Sequence, residues 1–111
     1  MTKLKQSMLD DFISYLKNDK FKNKILDLKL VQCTDNNGDY IYIDKFLIKK
    51  SLRGLGYGSA IIHLLIKFAK EHNVRLLFDM NINYKPIQSF YLKNGFTLIK
   101  NDLYYLVYYP N

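Results

Sequence analysis

Seven residues, Arg53-Gly54-Leu55-Gly56-Tyr57-Gly58-Ser59, carry the first chemistry legible in the chain. They close a strand-like run and open a strongly apolar, helix-like one. A glycine-rich turn in that position suits an anion such as phosphate. The backbone approaches without a Cβ in the way, and the N–H groups and dipole of the following helix favour negative charge. A nucleoside-triphosphate loop needs Gly-Lys-Ser/Thr at its end, whereas Gly58 is followed by Ser59-Ala60. A dinucleotide fingerprint, G-x-G-x-x-G, fits at Gly54 and Gly56 but meets Ser59 at its third position. Asp79 stands about where the ribose-binding acid of such a fingerprint belongs, yet little chain remains after it for the rest of that domain. A tight turn holding no ligand is the plain alternative.

Metal and disulfide chemistry find little support. Cys33 is the single cysteine, so no internal disulfide forms, and no residues at metal-ligand spacing surround it. It lies in an apolar alternating run and is expected to be a buried small hydrophobe. His63 and His72 fall on one helical stretch, where a lone histidine is more often packing or solvated than catalytic. No metal is expected.

The elements that must position the loop follow from periodicity. Leu4, Met8, Leu9, Phe12, Ile13 and Leu16 recur at helical spacing between Lys3 and Asp19. Two strands are expected at Ile25–Thr34 and Tyr40–Lys49. They form an antiparallel hairpin around Asp35-Asn36-Asn37-Gly38-Asp39, a strong turn signal containing Asn-Gly. Ser59–His72 reads as a helix with so wide an apolar arc that it must bury against a sheet, and Asn73 is its stop. Val74–Met80 is a continuous apolar strand suited to parallel pairing. Asn81–Tyr84 is a loop, Pro86 opens a helix that ends at Gly95, and Phe96–Lys100 and Tyr104–Tyr109 are two further strands. The 111 residues read as a single domain. Its class is α/β (α+β), with a mixed, mostly antiparallel sheet and one parallel strand–helix–strand crossover, expected to be right-handed.

Two motifs in this order resemble the signatures of the GNAT superfamily of acetyl-CoA-dependent N-acetyltransferases. Arg53-x-x-Gly56-x-Gly58 resembles its acyl-CoA pyrophosphate loop, preceded by Phe46-Leu47-Ile48 in place of the family's L-x-V strand end. Phe90-Tyr91-Leu92-Lys93-Asn94-Gly95-Phe96 resembles its second signature, a Tyr four residues before Gly-Phe. The resemblance covers roughly Tyr40 to Tyr109. The N-terminal third is shorter than usual, with one helix and one strand where the family has an extra strand and a second helix.

The resemblance implies roles residue by residue. Backbone N–H groups of Arg53, Gly54, Leu55, Gly56, Tyr57, Gly58 and Ser59 would hold the CoA pyrophosphate. Strands splayed around the cofactor would leave backbone groups of Phe46, Leu47 and Ile48 free for the pantetheine. Tyr91 matches the general acid that protonates the departing thiolate, although its spacing from Ile87 also fits plain core. Asp44 lies where several members carry the acid that takes the amine's proton, and it shares strand parity with Phe46 and Ile48. A strand-face aspartate paired with a lysine is the other reading of Asp44, and Asp39 is the alternative base. Where the family often has an Asn and an Ala, this chain has Tyr84 and Ile87; Asn81 and Asn83 are the nearby candidates to substitute, with Asn83 assigned to that cofactor contact.

The expected activity is therefore transfer of an acetyl group from acetyl-CoA to a primary amine by direct attack in a ternary complex. No cysteine lies in either motif, which disfavours an acyl-enzyme. The acceptor is a small molecule or a peptide or protein Lys or N-terminus, and the short N-terminal part points to an open acceptor site. The alternative is a catalytically inactive GNAT-like module that binds CoA or acts in interaction and regulation. The formal net charge of +7 permits anionic partners, but the Lys and Arg are spread along the chain and no nucleic-acid motif is present, so nucleic acid is not expected. No apolar run is long enough to cross a bilayer, so no membrane partner is expected and the location is read as cytoplasmic. Tyrosines on both faces of Tyr104–Tyr109 suggest a homodimer.

Overall fold

Alternation of apolar and polar side chains draws β1 (Ile25–Asp35) and β2 (Gly38–Ile48) into a long antiparallel hairpin. The computed structural model describes residues 3–80, 85–100 and 104–110. The turn is tighter than the Asn-Gly signal suggested. Asp35 pairs with Gly38, leaving Asn36 and Asn37 as the loop, and Gly38 alone takes a positive φ of 107°. The Asp35 carboxylate accepts the Asn37 amide at 2.8 Å and pins the corner.

The hairpin is not regular. Lys29 pairs with Lys45 but Leu30 pairs with Ile43, so Asp44 is an extra residue on β2, a β-bulge. A bulge resets which side chains face the core. Ile41 and Ile43 are fully buried, and beyond the bulge Phe46 and Ile48 pack against the same core while Lys45 and Leu47 are exposed. The parity expected to put Asp44 with Phe46 and Ile48 is therefore broken at Asp44 itself.

Five strands form one sheet in the order β1-β2-β3-β5-β4, with β3 at Arg75–Met80, β4 at Thr97–Lys100 and β5 at Tyr104–Tyr108. Only β2 and β3 are parallel; β3–β5 and β4–β5 are antiparallel. The expected class and crossover are thus present. The crossover helix α2 (Tyr57–His72) buries Ile61, Ile62, Leu65 and Ala69. It stops at Asn73, whose φ of 53° is the left-handed cap conformation that asparagine tolerates.

Helix α1 (Gln6–Tyr15) continues as a π-helical segment, Leu16–Lys20, closed by the Phe21 amide donating to the Leu16 carbonyl at 2.8 Å. Leu9 and Leu16 are fully buried, and Phe12 stacks on Phe68 of α2 at 4.7 Å. Gln6 does a different job. Its amide donates to the Leu30 carbonyl at 3.0 Å and accepts the Gln32 N–H at 2.8 Å. Both groups lie on the outer edge of β1, where no strand covers them. Cys33 is half-buried, not fully buried as expected, because it faces away from the helices beside Tyr40.

Helix α3 (Lys85–Lys93) ends at Gly95, whose φ is 98°. That turn lets the Phe96 amide donate back to the Tyr91 carbonyl at 3.1 Å, and the Phe96 ring meets Tyr91 edge-on at 5.0 Å. The Gly-Phe of the second motif is thus the device that seats Tyr91. A Cβ on Gly95 would have room, its nearest neighbour being the Tyr108 ring at 3.8 Å, so the conformation is what demands glycine. Gly95→Ala is expected to cost about 1–2 kcal/mol and to lower the thermal midpoint by about 5 °C. An unchanged midpoint would show that the turn tolerates a side chain.

Candidate active site

The site begins where a ladder stops. Parallel strands β2 and β3 pair over Tyr40–Arg75, Ile41–Leu76 and Tyr42–Leu77, and no further. The bulge at Asp44 follows at once, and β2 diverges from β3. Between the separated strands lies a cleft of about 760 Å³. One wall is Phe46, Leu47 and Ile48 of β2; the facing wall is Phe78 of β3 with Ile87, Phe90 and Tyr91 of α3.

At one end the cleft meets the glycine turn. A 3₁₀ turn, Lys50–Leu52, lifts the chain out of β2. The Arg53 amide closes that turn onto the Lys50 carbonyl at a long 3.4 Å, and Arg53 Nε donates to the Ile48 carbonyl at 3.0 Å. That bond ties the loop to the strand end and leaves the outer guanidinium nitrogens of Arg53 without an ion pair among the described residues. Gly56 is the N-cap of α2 with no side-chain capping bond, and the first helical turn carries no acidic residue. The first amide of the helix with a backbone acceptor is Ala60, donating to Gly56 at 3.1 Å. The amides ahead of it are those a helix start leaves unsatisfied.

The three glycines do different work. Gly54 and Gly56 have φ of 82° and 88°, which side chains rarely adopt, yet a Cβ at either would meet nothing within 4 Å. They shape the turn. Gly58 is ordinary helix, and a Cβ there would meet the Phe90 ring at 3.4 Å, an ordinary van der Waals contact. Leu55 is 65% exposed and does not line the cleft, whereas Arg53, Gly54, Tyr57, Gly58 and Ser59 do. Asn81 and Asn83 lie outside the described residues.

Tyr91 is 4% exposed, yet it lines the cleft. It stacks on Phe78 at 4.7 Å and meets Phe90 and Phe96 edge-on. Burial alone pushes its hydroxyl well above the ordinary tyrosine range. The core and cleft readings of Tyr91 thus hold together: the ring is locked and the phenol stays protonated.

The opposite end of the cleft is charged. Asp27 of β1 and Asp44 and Lys45 of β2 line it. Lys29 and Lys45 are direct ladder partners, an unfavourable juxtaposition. Each is relieved by an acid: Lys29 Nζ lies 3.4 Å from Asp44 and Lys45 Nζ 3.8 Å from Asp27. Asp44 is therefore both in the cleft and paired with a lysine. Asp39 accepts Thr34 and Gln32 in the hairpin and does not line the cleft, so the structure removes it as the alternative base. Asp27, Phe78 and Phe90 were missed from the sequence. The mirrored Asp/Lys alternation of Asp27, Lys29, Asp44 and Lys45 was the signal for the first; nothing short of topology signals the others.

Asp79, which kept the dinucleotide reading open, does not line the cleft. Its carboxylate accepts the Tyr42 hydroxyl at 2.7 Å. His72 Nδ1–H donates to the Phe68 carbonyl at 3.0 Å and the imidazole stacks on the Phe68 ring, a helix-end packing role. Among the described residues no group of acids, cysteines or histidines could hold a metal ion, and no helix is long and apolar enough to cross a membrane.

Residues 12–96 match the profile of the acetyltransferase (GNAT) family. Solved structures share the fold. A GNAT-family acetyltransferase from Staphylococcus aureus superposes with a TM-score of 0.62 at 22% identity, covering 76% of this chain and 58% of its own. A Bacillus anthracis protein in complex with acetyl coenzyme A gives 0.55 at 24% identity, covering 74% and 54%. The YlbP N-acetyltransferase of Bacillus subtilis in complex with coenzyme A gives 0.55 at 18% identity, covering 99% and 85%. The chain thus spans less than two thirds of the first two. No curated protein matches.

The Tyr42–Asp79 bond has a spectroscopic signature. The Asp79 carboxylate, with partial burial, raises the Tyr42 hydroxyl from 10.0 to about 12. Because the folded value is raised, the associated stabilisation is complete below about pH 10 and is lost as pH rises through about 12. Alkaline titration of tyrosine absorbance is expected to show a late step near 12 that loses one tyrosine's amplitude in Tyr42→Phe, the buried Tyr91 titrating later still. No loss of late amplitude in that variant would contradict the assignment.

Proposed function

The chain belongs to the acetyltransferase (GNAT) family, and from that footing we propose that it transfers an acetyl group from acetyl-CoA to a primary amine by direct attack. The observation that carries this reading is the cleft between β2 and β3. It joins a helix N-terminus with unsatisfied amides and Arg53 at one end to Tyr91 in the middle and two carboxylates at the other. Solved relatives that share the fold hold acetyl coenzyme A or coenzyme A.

The site's residues fit the donor in three respects. The loop supplies N–H groups and a cation for the pyrophosphate without any acid in the first helical turn to repel it. The edge of β2 from Phe46 to Ile48, unpaired toward β3, can bond the pantetheine as an added strand would. Phe46, Phe78 and Phe90 supply an apolar lining that excludes water from the thioester.

The acceptor enters from the Asp27–Asp44 end. The Asp44 carboxylate takes a proton from the ammonium, directly or through water, once Lys29 yields its place. The amine nitrogen attacks the thioester carbon and the C–N bond forms; the nitrogen, now cationic, releases its second proton to solvent as the C–S bond breaks. The leaving sulfur takes a proton from Tyr91, which regains one from solvent. A phenol of ordinary pKa about 10 is a weaker acid than a thiol at about 8.5, and burial widens that gap for Tyr91. The same burial destabilises a thiolate, so Tyr91 serves by holding its proton against the sulfur as charge develops there. Asp27 and Asp44 suit a cationic acceptor, and the exposed Lys45 and Leu47 beside them leave the entrance open to a bulky amine or a peptide lysine.

Free thiol released from acetyl-CoA with a panel of amines tests the reading. Tyr91→Phe keeps the stack on Phe78 and is expected to lower kcat by about 10²-fold while leaving CoA affinity in place. Arg53→Ala is expected to weaken CoA by about tenfold, with a shallower dependence on salt. Tight CoA binding without turnover on any amine would favour a binding module, and absence of CoA binding would end the proposal.

A further inference from the structure

Backbone pairing of β2 with β3 ends at Tyr42 and Leu77. One side-chain bond reaches past that point. The Tyr42 hydroxyl donates to Asp79 Oδ1 at 2.7 Å, and Asp79 lies two residues beyond Leu77 on the same face of β3. That face looks away from the helices, since Leu76 and Phe78 carry the opposite parity and pack with the core. Neither Tyr42 nor Asp79 lines the cleft. The pair sits beneath the vertex of the opening, where the next backbone rung would have formed. Among the described residues no other hydrogen bond joins β2 to the part of β3 beyond Leu77.

We propose that the Tyr42–Asp79 hydrogen bond is a strut that sets how far β2 and β3 separate, and so positions the Phe46–Ile48 edge opposite Phe78 and Tyr91 for the acyl donor. The proposal rests on the reading that this cleft takes acetyl-CoA. Two features make the bond suited to the task. A tyrosine is long and has few rotatable bonds, so its hydroxyl fixes a distance. Asp79 has no ion-pair partner among the described residues, so the phenol is the group that satisfies its half-buried carboxylate. Without the strut the strands are free to zip one rung further or to part, and either changes the width of the cleft. Tyr42 and Asp79 are positioning residues, touching neither donor nor acceptor.

The test compares Tyr42→Phe, Asp79→Ala and Asp79→Asn with the unaltered chain. CoA affinity is read by calorimetry, amide hydrogen exchange at Phe46–Ile48 and Phe78 by mass spectrometry, and folding by thermal denaturation. Tyr42→Phe and Asp79→Ala are expected to weaken CoA by about tenfold, and the double variant by no more than either alone. Asp79→Asn, whose amide oxygen still accepts the hydroxyl, is expected to stay within about threefold of the unaltered chain. Exchange at Phe46–Ile48 should change in Tyr42→Phe and be restored in Asp79→Asn. A fall in thermal midpoint with unchanged affinity and exchange would overturn the strut, as would Asp79→Asn behaving like Asp79→Ala. If the unaltered chain binds no CoA, the acetyl-CoA reading fails by itself. The exchange comparison then decides the strut, which unchanged exchange at Phe46–Ile48 in Tyr42→Phe would overturn.

Discussion

A parallel ladder of three rungs governs the molecule. Two neighbouring strands with unsatisfied backbone groups will pair along their whole length unless something stops them. Here an extra residue, Asp44, stops them. It tilts β2 at the point where pairing with β3 would otherwise continue, and it turns Phe46 and Ile48 back toward the core. The strands therefore end as the two sides of a gap. That gap is tolerable only because its sides are covered: α3 lays Phe90 and Tyr91 against it, and α2 starts at its mouth. The Phe90 ring lies beside Gly58 in the first turn of α2. Remove any of these and the open strands have a reason to close.

Polar groups are distributed along this gap in a gradient. The loop end presents backbone donors and a guanidinium, the middle is aromatic, and carboxylates each held by a lysine line the rest. Only modest energies hold the exposed ion pairs, so Lys29 and Lys45 cost little to displace from their aspartates. The aromatic middle is different. Tyr91 is fixed by three rings and by the return of Phe96 beneath it.

Much of this was legible in the residues. Local signals wrote the helices and strands: the wide apolar arc of α2, Asn73 as its stop, Pro86 and Gly95 around α3. The glycine turn was legible because glycine spacing reports backbone conformation directly. Parity failed at Asp44 because a bulge is one residue of surplus that appears only when two strands are set side by side. The jobs of the glycines could not be assigned either. Gly54, which the Arg53-x-x-Gly56-x-Gly58 pattern leaves out, needs its left-handed φ, while Gly58 is ordinary helix beside the Phe90 ring. Asp39, the alternative base, and Asp79, the acid of the dinucleotide reading, both lie outside the cleft, bonded to Thr34 and to Tyr42.

At the other side of the sheet, Gln6 reaches β1 with a primary amide that gives one hydrogen and takes one. A peptide unit of a neighbouring strand would offer the same pair. The side chain thus imitates a strand one residue long, and it does so on an eleven-residue edge of the sort that recruits foreign chains. Any strand arriving from another molecule must displace that imitation or begin beyond it, so a single glutamine makes the sheet's longest free margin a discontinuous template.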